Sequence, residues 1–211
     1  MEDPSAVDPS ASLEEVLETS RELGFLGPGP LALQIEHARG FASMMARAPE
    51  SFLDLGSGGG LPGLVLVLMW PHARGVLLDA SVRRTEFLRQ AGELLGSGDR
   101  IEVVCGRAEE TGRLPRLRGR FDVVTARSFG APAVTAECGA PFLRIGGRLL
   151  VSEPPEDSQA RWPRGRLAEL GLEVETPPSP RARYVGLQLV QPLGDRWPRR
   201  TGIPSKRPLW R

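Results

Sequence analysis

The sequence predicts an α/β fold, a mostly parallel sheet flanked by helices and preceded by an N-terminal helical cap. Three observations predict it. From residue 51 onward, short apolar runs alternate with amphipathic stretches, the pattern of strands joined by helical crossovers. The first run, Ser51–Leu55, leads directly into five glycines within residues 56–63, and glycine lets backbone approach a ligand with no Cβ in the way. A second run, Val76-Leu77-Leu78, ends on an acid, Asp79, 19 residues after Gly60. In a doubly wound, Rossmann-like sheet the end of the second strand lies beside the first glycine turn.

The elements follow in order. Residues 1–11 read as a disordered tail. Residues 12–26 have helical spacing, with Leu13, Val16, Leu17 and Leu23 on one face. Ser12 and Glu15 form a candidate capping box. Gly27-Pro28-Gly29-Pro30 breaks that helix, and residues 31–47 form a second. Strands are expected at Ser51–Leu55, Gly75–Leu78, Ile101–Cys105, Phe121–Ala126 and Arg148–Ser152. Helices are expected at Gly63–Trp70, Val82–Leu95, Ala133–Leu143 and Trp162–Leu170. Arg183–Val190 alternates as a late strand, residues 154–180 are otherwise loop-rich, and residues 191–211 read as irregular and basic. Three segments result: a tail and helical cap over 1–48, the α/β domain over 49–192 and a basic C-terminal tail over 193–211.

Composition narrows the class. Hydrophobic residues make up 40% of the 211, enough for a sizeable core. No apolar run approaches the roughly 18 residues of a membrane span, and the acidic start MEDPSAVDPSASLEE lacks the layout of a signal peptide. Two cysteines, Cys105 and Cys138, exclude a disulfide framework or a four-cysteine zinc site and read as small buried hydrophobes. A cytoplasmic setting, no metal and no membrane partner are expected. The charge is uneven. Residues 1–157 carry 16 basic and 22 acidic side chains, a net of −6, and residues 158–211 carry 11 and 4, a net of +7. A basic C-terminal region suits an anionic partner such as nucleic acid, although 26 Arg against one Lys also reflects compositional bias.

The glycine turn admits two cofactor classes. Gly58-x-Gly60-x-x-Gly63 matches a dinucleotide fingerprint, a weak signal alone. Asp54-x-Gly56-x-Gly58 puts an acid ahead of the glycines, where it would repel a pyrophosphate and attract the ammonium and sulfonium of S-adenosylmethionine. The second pattern is favoured. Asp79 can accept both ribose hydroxyls of an adenosine in either cofactor, or cap the helix that follows. Arg127 comes just after the Phe121-Asp122-Val123-Val124 run, at the carboxyl edge where ligands collect. His37 and His72 have no acid or nucleophile nearby in sequence and receive no catalytic role.

Taken together, DLGSGGGLPG at Asp54–Gly63, LLD at Leu77–Asp79, RRTEFLRQ at Arg83–Gln90, GRAEE at Gly106–Glu110, FDVVTARSF at Phe121–Phe129 and GGRLLV at Gly146–Val151 resemble the GidB-type small-subunit ribosomal RNA methyltransferases. The tail RWPRRTGIPSKRPL at Arg196–Leu209 is similar to that of one branch of the family. The resemblance implies a Rossmann-like methyltransferase fold, S-adenosylmethionine as cofactor, and N7 of a guanine in 16S ribosomal RNA, alone or in the small ribosomal subunit, as acceptor. It implies cofactor contacts from Asp54, Gly56, Ser57, Gly58, Gly60 and Leu61, the ribose on Asp79, and the adenine bordered by Ala108 and Glu109. It also implies that Arg127 stands between cofactor and base as the catalytic residue. The chain departs from the family on the substrate side. It has no Asn-Leu-Thr element, keeps only His37 of the Arg-His…Asp-Ser stretch, and carries Ser152-Glu153-Pro154 where a lysine is expected.

Methylation at guanine N7 uses an in-plane lone pair and needs no deprotonation, so positioning and electrostatics suffice. RNA phosphates would meet Arg199, Arg200, Lys206 and Arg207, with Arg181 and Arg183 nearby. Trp197 and Trp210 lie among these groups, either to stack on bases or to pack the tail onto the sheet. A monomer is expected. Two alternatives stand beside this reading: a methyltransferase of the same ancestry acting on a small molecule, favoured by the substrate-side departures, and a non-catalytic cofactor- or RNA-binding protein, disfavoured by the glycine turn and acidic strand ends. A dehydrogenase is the remote case.

Overall fold

A computed structural model of the chain describes residues 9–154, 161–175 and 183–211. Seven strands form one sheet in the order β3-β2-β1-β4-β5-β7-β6. They are β1 (Ser51–Leu55), β2 (Arg74–Asp79), β3 (Ile101–Cys105), β4 (Phe121–Ala126), β5 (Leu143–Ser152), β6 (Leu172–Val174) and β7 (Tyr184–Leu189). Strands β1 to β5 run parallel, and β7 is antiparallel to both β5 and β6. The order reverses at β1, so the loops after β1 and β4 leave on either side of a crevice at the carboxyl edge. Every residue of β1 after Ser51 is buried, as expected of a strand covered on both faces.

The period of two in the strands divides the core. Leu53, Leu55, Val124 and Leu149 face one layer with Phe142, Trp162 and Trp197. Phe52, Leu77, Val123 and Leu150 face the other, with Leu64 and Leu66 of α3 (Gly63–Met69) and Leu88 of α4 (Val82–Leu94). The cap, α1 (Pro9–Glu22) and α2 (Leu31–Ser43), joins this second layer through Leu13, Leu17, Ile35 and Phe41. The first layer is completed by short helices, α5 (Ala108–Thr111), α6 (Pro132–Gly139) and α7 (Arg164–Ala168). A final turn, α8 (Ile203–Lys206), lies in the tail.

The expected elements all occur, with shifts that have local causes. Helix α1 starts at Pro9, so Ser12 lies inside it rather than at its start. The helix expected over Ala133–Leu143 ends at Gly139, because Pro141 in the following 3-10 turn cannot continue an α-helical ladder. Leu143 already pairs with Phe121, and a register shift between Phe121 and Val123 lengthens β5 by five residues ahead of Arg148. Strand β6 and helix α5, of three and four residues, carry too little pattern to be read. Cys138 is buried as expected, whereas Cys105 is exposed at the end of edge strand β3. Of the tail expected over residues 1–11, residues 9–11 already belong to α1 and residues 1–8 lie outside the described residues.

Candidate cofactor and acceptor site

At the carboxyl edge the strand ends stand in a row, with Leu55 beside Leu78, Asp79 beside Cys105 and Ala126 beside Val151. The turn after β1 is clamped to β2, since the amides of Gly56 and Ser57 both donate to Leu78 O at 2.8 and 2.9 Å. Gly56, Gly58 and Gly60 have φ of +72°, +54° and +101°. At Gly56 a side chain is excluded twice over, by that left-handed backbone and by Phe129 Cδ2, 2.7 Å from where a Cβ would sit.

Asp54 is only 1% exposed. Its Oδ2 accepts from the Gly63 amide at 3.0 Å and its Oδ1 from Thr125 Oγ1 at 2.8 Å. Burial pushes its carboxyl up to about 6, against the pull of its hydrogen bonds and of Arg127. The acid expected to face a cationic cofactor is thus committed to the protein. It ties the start of α3 to β4 and shapes the turn from beneath.

Asp79 is placed as expected, 7% exposed at the end of β2. Its Oδ2 accepts from the Gly58 amide at 2.9 Å and its Oδ1 from the Ser81 amide at 2.8 Å. Each oxygen keeps a second lone pair. The helix cap is supplied by Ser81 instead, so the ribose and capping readings of Asp79 do not compete. Above the turn, Ser20 Oγ of the cap donates to Gly59 O at 2.8 Å.

Ala108 opens α5 and Glu109 follows, both buried. Glu109 Oε1 accepts from the Gly202 amide at 2.9 Å, and Glu110 Oε1 from Thr201 Oγ1 at 3.0 Å. The tail expected to hang free is therefore docked here. Arg118 donates to the carbonyls of Leu193, Gly194 and Trp197, and Arg113 to those of Asp195, Arg196 and Pro198. Trp197 is 5% exposed and packs the tail into the core.

Among the four residues expected to meet RNA, Arg199 is engaged elsewhere. Its Nε and Nη2 grip the two carboxylate oxygens of Glu137 at 2.8 and 2.6 Å, and its amide adds a bond of 2.9 Å. The Glu137 side chain is 1% exposed, and this bonding holds the Arg199 guanidinium above its ordinary pKa. Arg200, Lys206 and Arg207 are exposed, as is Arg183. Arg181 lies outside the described residues.

Arg127 sits where the sequence put it. Its Nη2 donates to Gln34 Oε1 at 3.0 Å, whereas Nη1 is buried with no hydrogen-bond partner. It lines a cavity of about 390 Å³. Phe129 stands between this cavity and Gly56, so the glycine turn and the cavity share a wall. Sequence reasoning passed over the rest of the lining. His37 is brought in by the cap, with its carbonyl accepting from Tyr184 Oη. Gly40, one turn on, permits that contact, since a Cβ there would lie 2.1 Å from the Tyr184 oxygen. Burial and the charges of Arg127 and Arg183 lower the His37 pKa. After β5, Glu153 is ion-paired with Arg161, its side chain 2% exposed, and burial raises its pKa. Trp162 stands beside Glu153, yet its buried Nε1 completes no hydrogen bond. His37 Nδ1 is also unpartnered, so all three buried side-chain polar atoms without partners, among the described residues, belong to residues of this cavity. The departure at Ser152-Glu153-Pro154 was the one visible signal.

Among the described residues no cluster could hold a metal, and no helix is long and apolar enough to cross a membrane. Residues 35–158 match the family model of the rRNA small subunit methyltransferase G, GidB. A ribosomal RNA small subunit methyltransferase G of Rubrobacter xylanophilus is 36% identical over 85% of this chain and 74% of its own length. One from Symbiobacterium thermophilum is 34% identical over 85% and 80%. An O-methyltransferase from Bacillus cereus, solved with SAH, aligns with a TM-score of 0.64 over 89% of this chain and 94% of its own, at 17% identity, a likeness of fold. By the family match and by these relatives, the chain belongs to the GidB family of small-subunit ribosomal RNA methyltransferases, enzymes that draw on S-adenosylmethionine.

Proposed function

We propose that the protein methylates N7 of a guanine in 16S ribosomal RNA. The observation that carries this reading is Arg127, with a buried unpaired Nη1, lining the cavity together with Phe129, which also packs against Gly56 of the glycine turn. The residues present suit S-adenosylmethionine. The backbone of Gly56, Ser57, Gly58, Gly60 and Leu61 would take its methionine and adenosine side, and Asp79, with a lone pair left on each oxygen, its ribose. Ala108 and Glu109 would border the adenine, Glu109 through the tail that it holds at Gly202. Asp54 acts from beneath, by fixing the turn. When bound, the cofactor supplies a methyl group on a cationic sulfur.

The protein's own work is positioning. Arg127 donates to guanine O6, the acceptor beside N7, and so leaves the N7 lone pair free. Phe129 and the cavity walls exclude water from a base that must be unstacked to enter. No side chain removes a proton, because N7 carries none. Arg200, Lys206 and Arg207 would meet phosphates, and Arg199 is withdrawn from that set by Glu137. The protein would act as a monomer in the cytoplasm, with residues 1–48, 49–192 and 193–211 as cap, catalytic domain and tail.

Incubation with labelled S-adenosylmethionine and either hypomethylated small ribosomal subunits or a metabolite extract tests this. Label at guanine N7 of 16S RNA is the expected result. Label confined to small molecules, or no transfer despite cofactor binding, would overturn it.

A further inference from the structure

The cavity beside Arg127 holds an acid for which the reaction so far has no use. Glu153 follows β5, is almost wholly buried, and stands on the same cavity as Arg127, Phe129 and Trp162. Its charge does not close a gap in the core. Its partner Arg161 is about one-third exposed, so Arg161 could remain solvated without it. A carboxylate is costly to bury even when paired, and here it borders a cavity whose lining also carries unpartnered polar atoms of His37 and Arg127.

We propose that Glu153 reads the acceptor base, its carboxylate accepting from guanine N1–H and N2–H while Arg127 donates to O6. The inference rests on the guanine reading above and deepens it by assigning the specificity-determining residue. Guanine alone among the four bases presents two adjacent donors on its Watson–Crick edge. Adenine and cytosine set a ring acceptor against the carboxylate, and uracil has one donor flanked by acceptors. A base held by that edge has left its own pairing partner, and its N7 lies on the opposite side of the ring. Phe129, on the cavity wall, supplies aromatic surface for a ring face, and stacking on aromatic side chains is how flipped bases are held.

The same contact acts on rate. Methylation at N7 places a positive charge on the purine and makes N1–H more acidic. A carboxylate on N1–H and N2–H is therefore bound more strongly in the transition state than in the ground state, the condition for raising kcat. Arg161 offsets the charge of Glu153 before the base arrives and limits repulsion between the carboxylate and RNA phosphates.

The test uses the full chain, hypomethylated small subunits, and subunits reconstituted with inosine, which lacks the N2 amine, at the methylated position. Wild-type kcat/KM should fall roughly tenfold to a hundredfold on inosine, the loss of a hydrogen bond to a charged group. Glu153→Gln presents a donor where the base also donates. It should lose at least as much on guanosine, yet differ between guanosine and inosine by less than about threefold, because the two changes remove one shared contact. Cofactor affinity by calorimetry should not change. The proposal is overturned if Glu153→Gln matches the wild type. It is overturned also if the variant loses activity while still discriminating against inosine as the wild type does, which marks a structural role. If the variant does not fold, the wild type on inosine decides, and undiminished activity overturns the proposal. Absence of wild-type transfer to guanosine subunits would instead refute the guanine reading.

Discussion

Replacing Arg199 by Ala separates a clasp from an RNA contact. The substitution deletes the two guanidinium bonds to Glu137 and leaves the backbone donor from residue 199, with the carboxylate still 1% exposed on α6. Removing one partner of a buried pair costs about 3–5 kcal/mol. Arg199 itself is 27% exposed, so water reaches the site on its removal and the lower figure, about 3 kcal/mol, applies. At about 2–4 °C per kcal/mol for a chain of this size, the midpoint of thermal unfolding should fall by roughly 6–12 °C. Urea unfolding of Arg199→Ala, Glu137→Gln and the double variant closes a cycle in which the double variant should be more stable than the sum of the single losses, because the stranded charge has gone. RNA affinity measured against salt should keep its slope in Arg199→Ala. A slope reduced by about 0.9 with stability within about 0.5 kcal/mol of wild type would refute the reasoning and return Arg199 to the phosphate-binding set.

The exposed groups should behave oppositely. Arg200→Ala, Lys206→Ala and Arg207→Ala should each weaken RNA binding and flatten its salt slope by about 0.9, with no change in melting, as read by filter binding at several salt concentrations. For Asp54, the folded carboxyl titrates at about 6, above the ordinary 3.8. Its protonated form is therefore favoured on folding, a contribution full below pH 3.8 and lost as pH rises through 6. Asp54→Asn should gain about 3 kcal/mol on the wild type between pH 3.8 and pH 7, whatever its constant offset, and parallel pH–stability curves would contradict the assignment. Gly56→Ala must adopt φ near +72° and displace Phe129. With about 1–2 kcal/mol of backbone cost alone, affinity for the cofactor should fall roughly tenfold by calorimetry, and unchanged affinity would remove the turn from the site.

What could be read in the chain was what the backbone itself demands. A glycine cluster after an apolar run signals a turn whatever the surroundings, and Asp79 follows from strand order once that turn is accepted. The roles of charged side chains were harder to read, because they depend on partners far off in sequence. Arg199 and Glu137 lie 62 positions apart and Ser51 and Asp122 lie 71 apart, so no local pattern announces either contact. The place of Asp54 ahead of the glycines suggests that it faces the cofactor, yet the alternation of β1 turns it under the turn, toward α3. The cavity was hidden for a related reason. Its walls come from α2, the loops after β4 and β5, and Trp162, segments of weak periodicity that only the sheet order brings together.

The docked tail has a consequence for biosynthesis. Translation delivers the chain from its first residue, and domains fold as their parts emerge. Glu109, Glu110 and Glu137 are made long before Gly202, Thr201 and Arg199, the groups that neutralise or bond them. Until residues 199–202 have emerged, Glu109 and Glu137 lack the partners that hold them in the folded protein. A chain that stops short of Arg199 would contain all seven strands but lack the stitch that closes the tail onto α5 and α6.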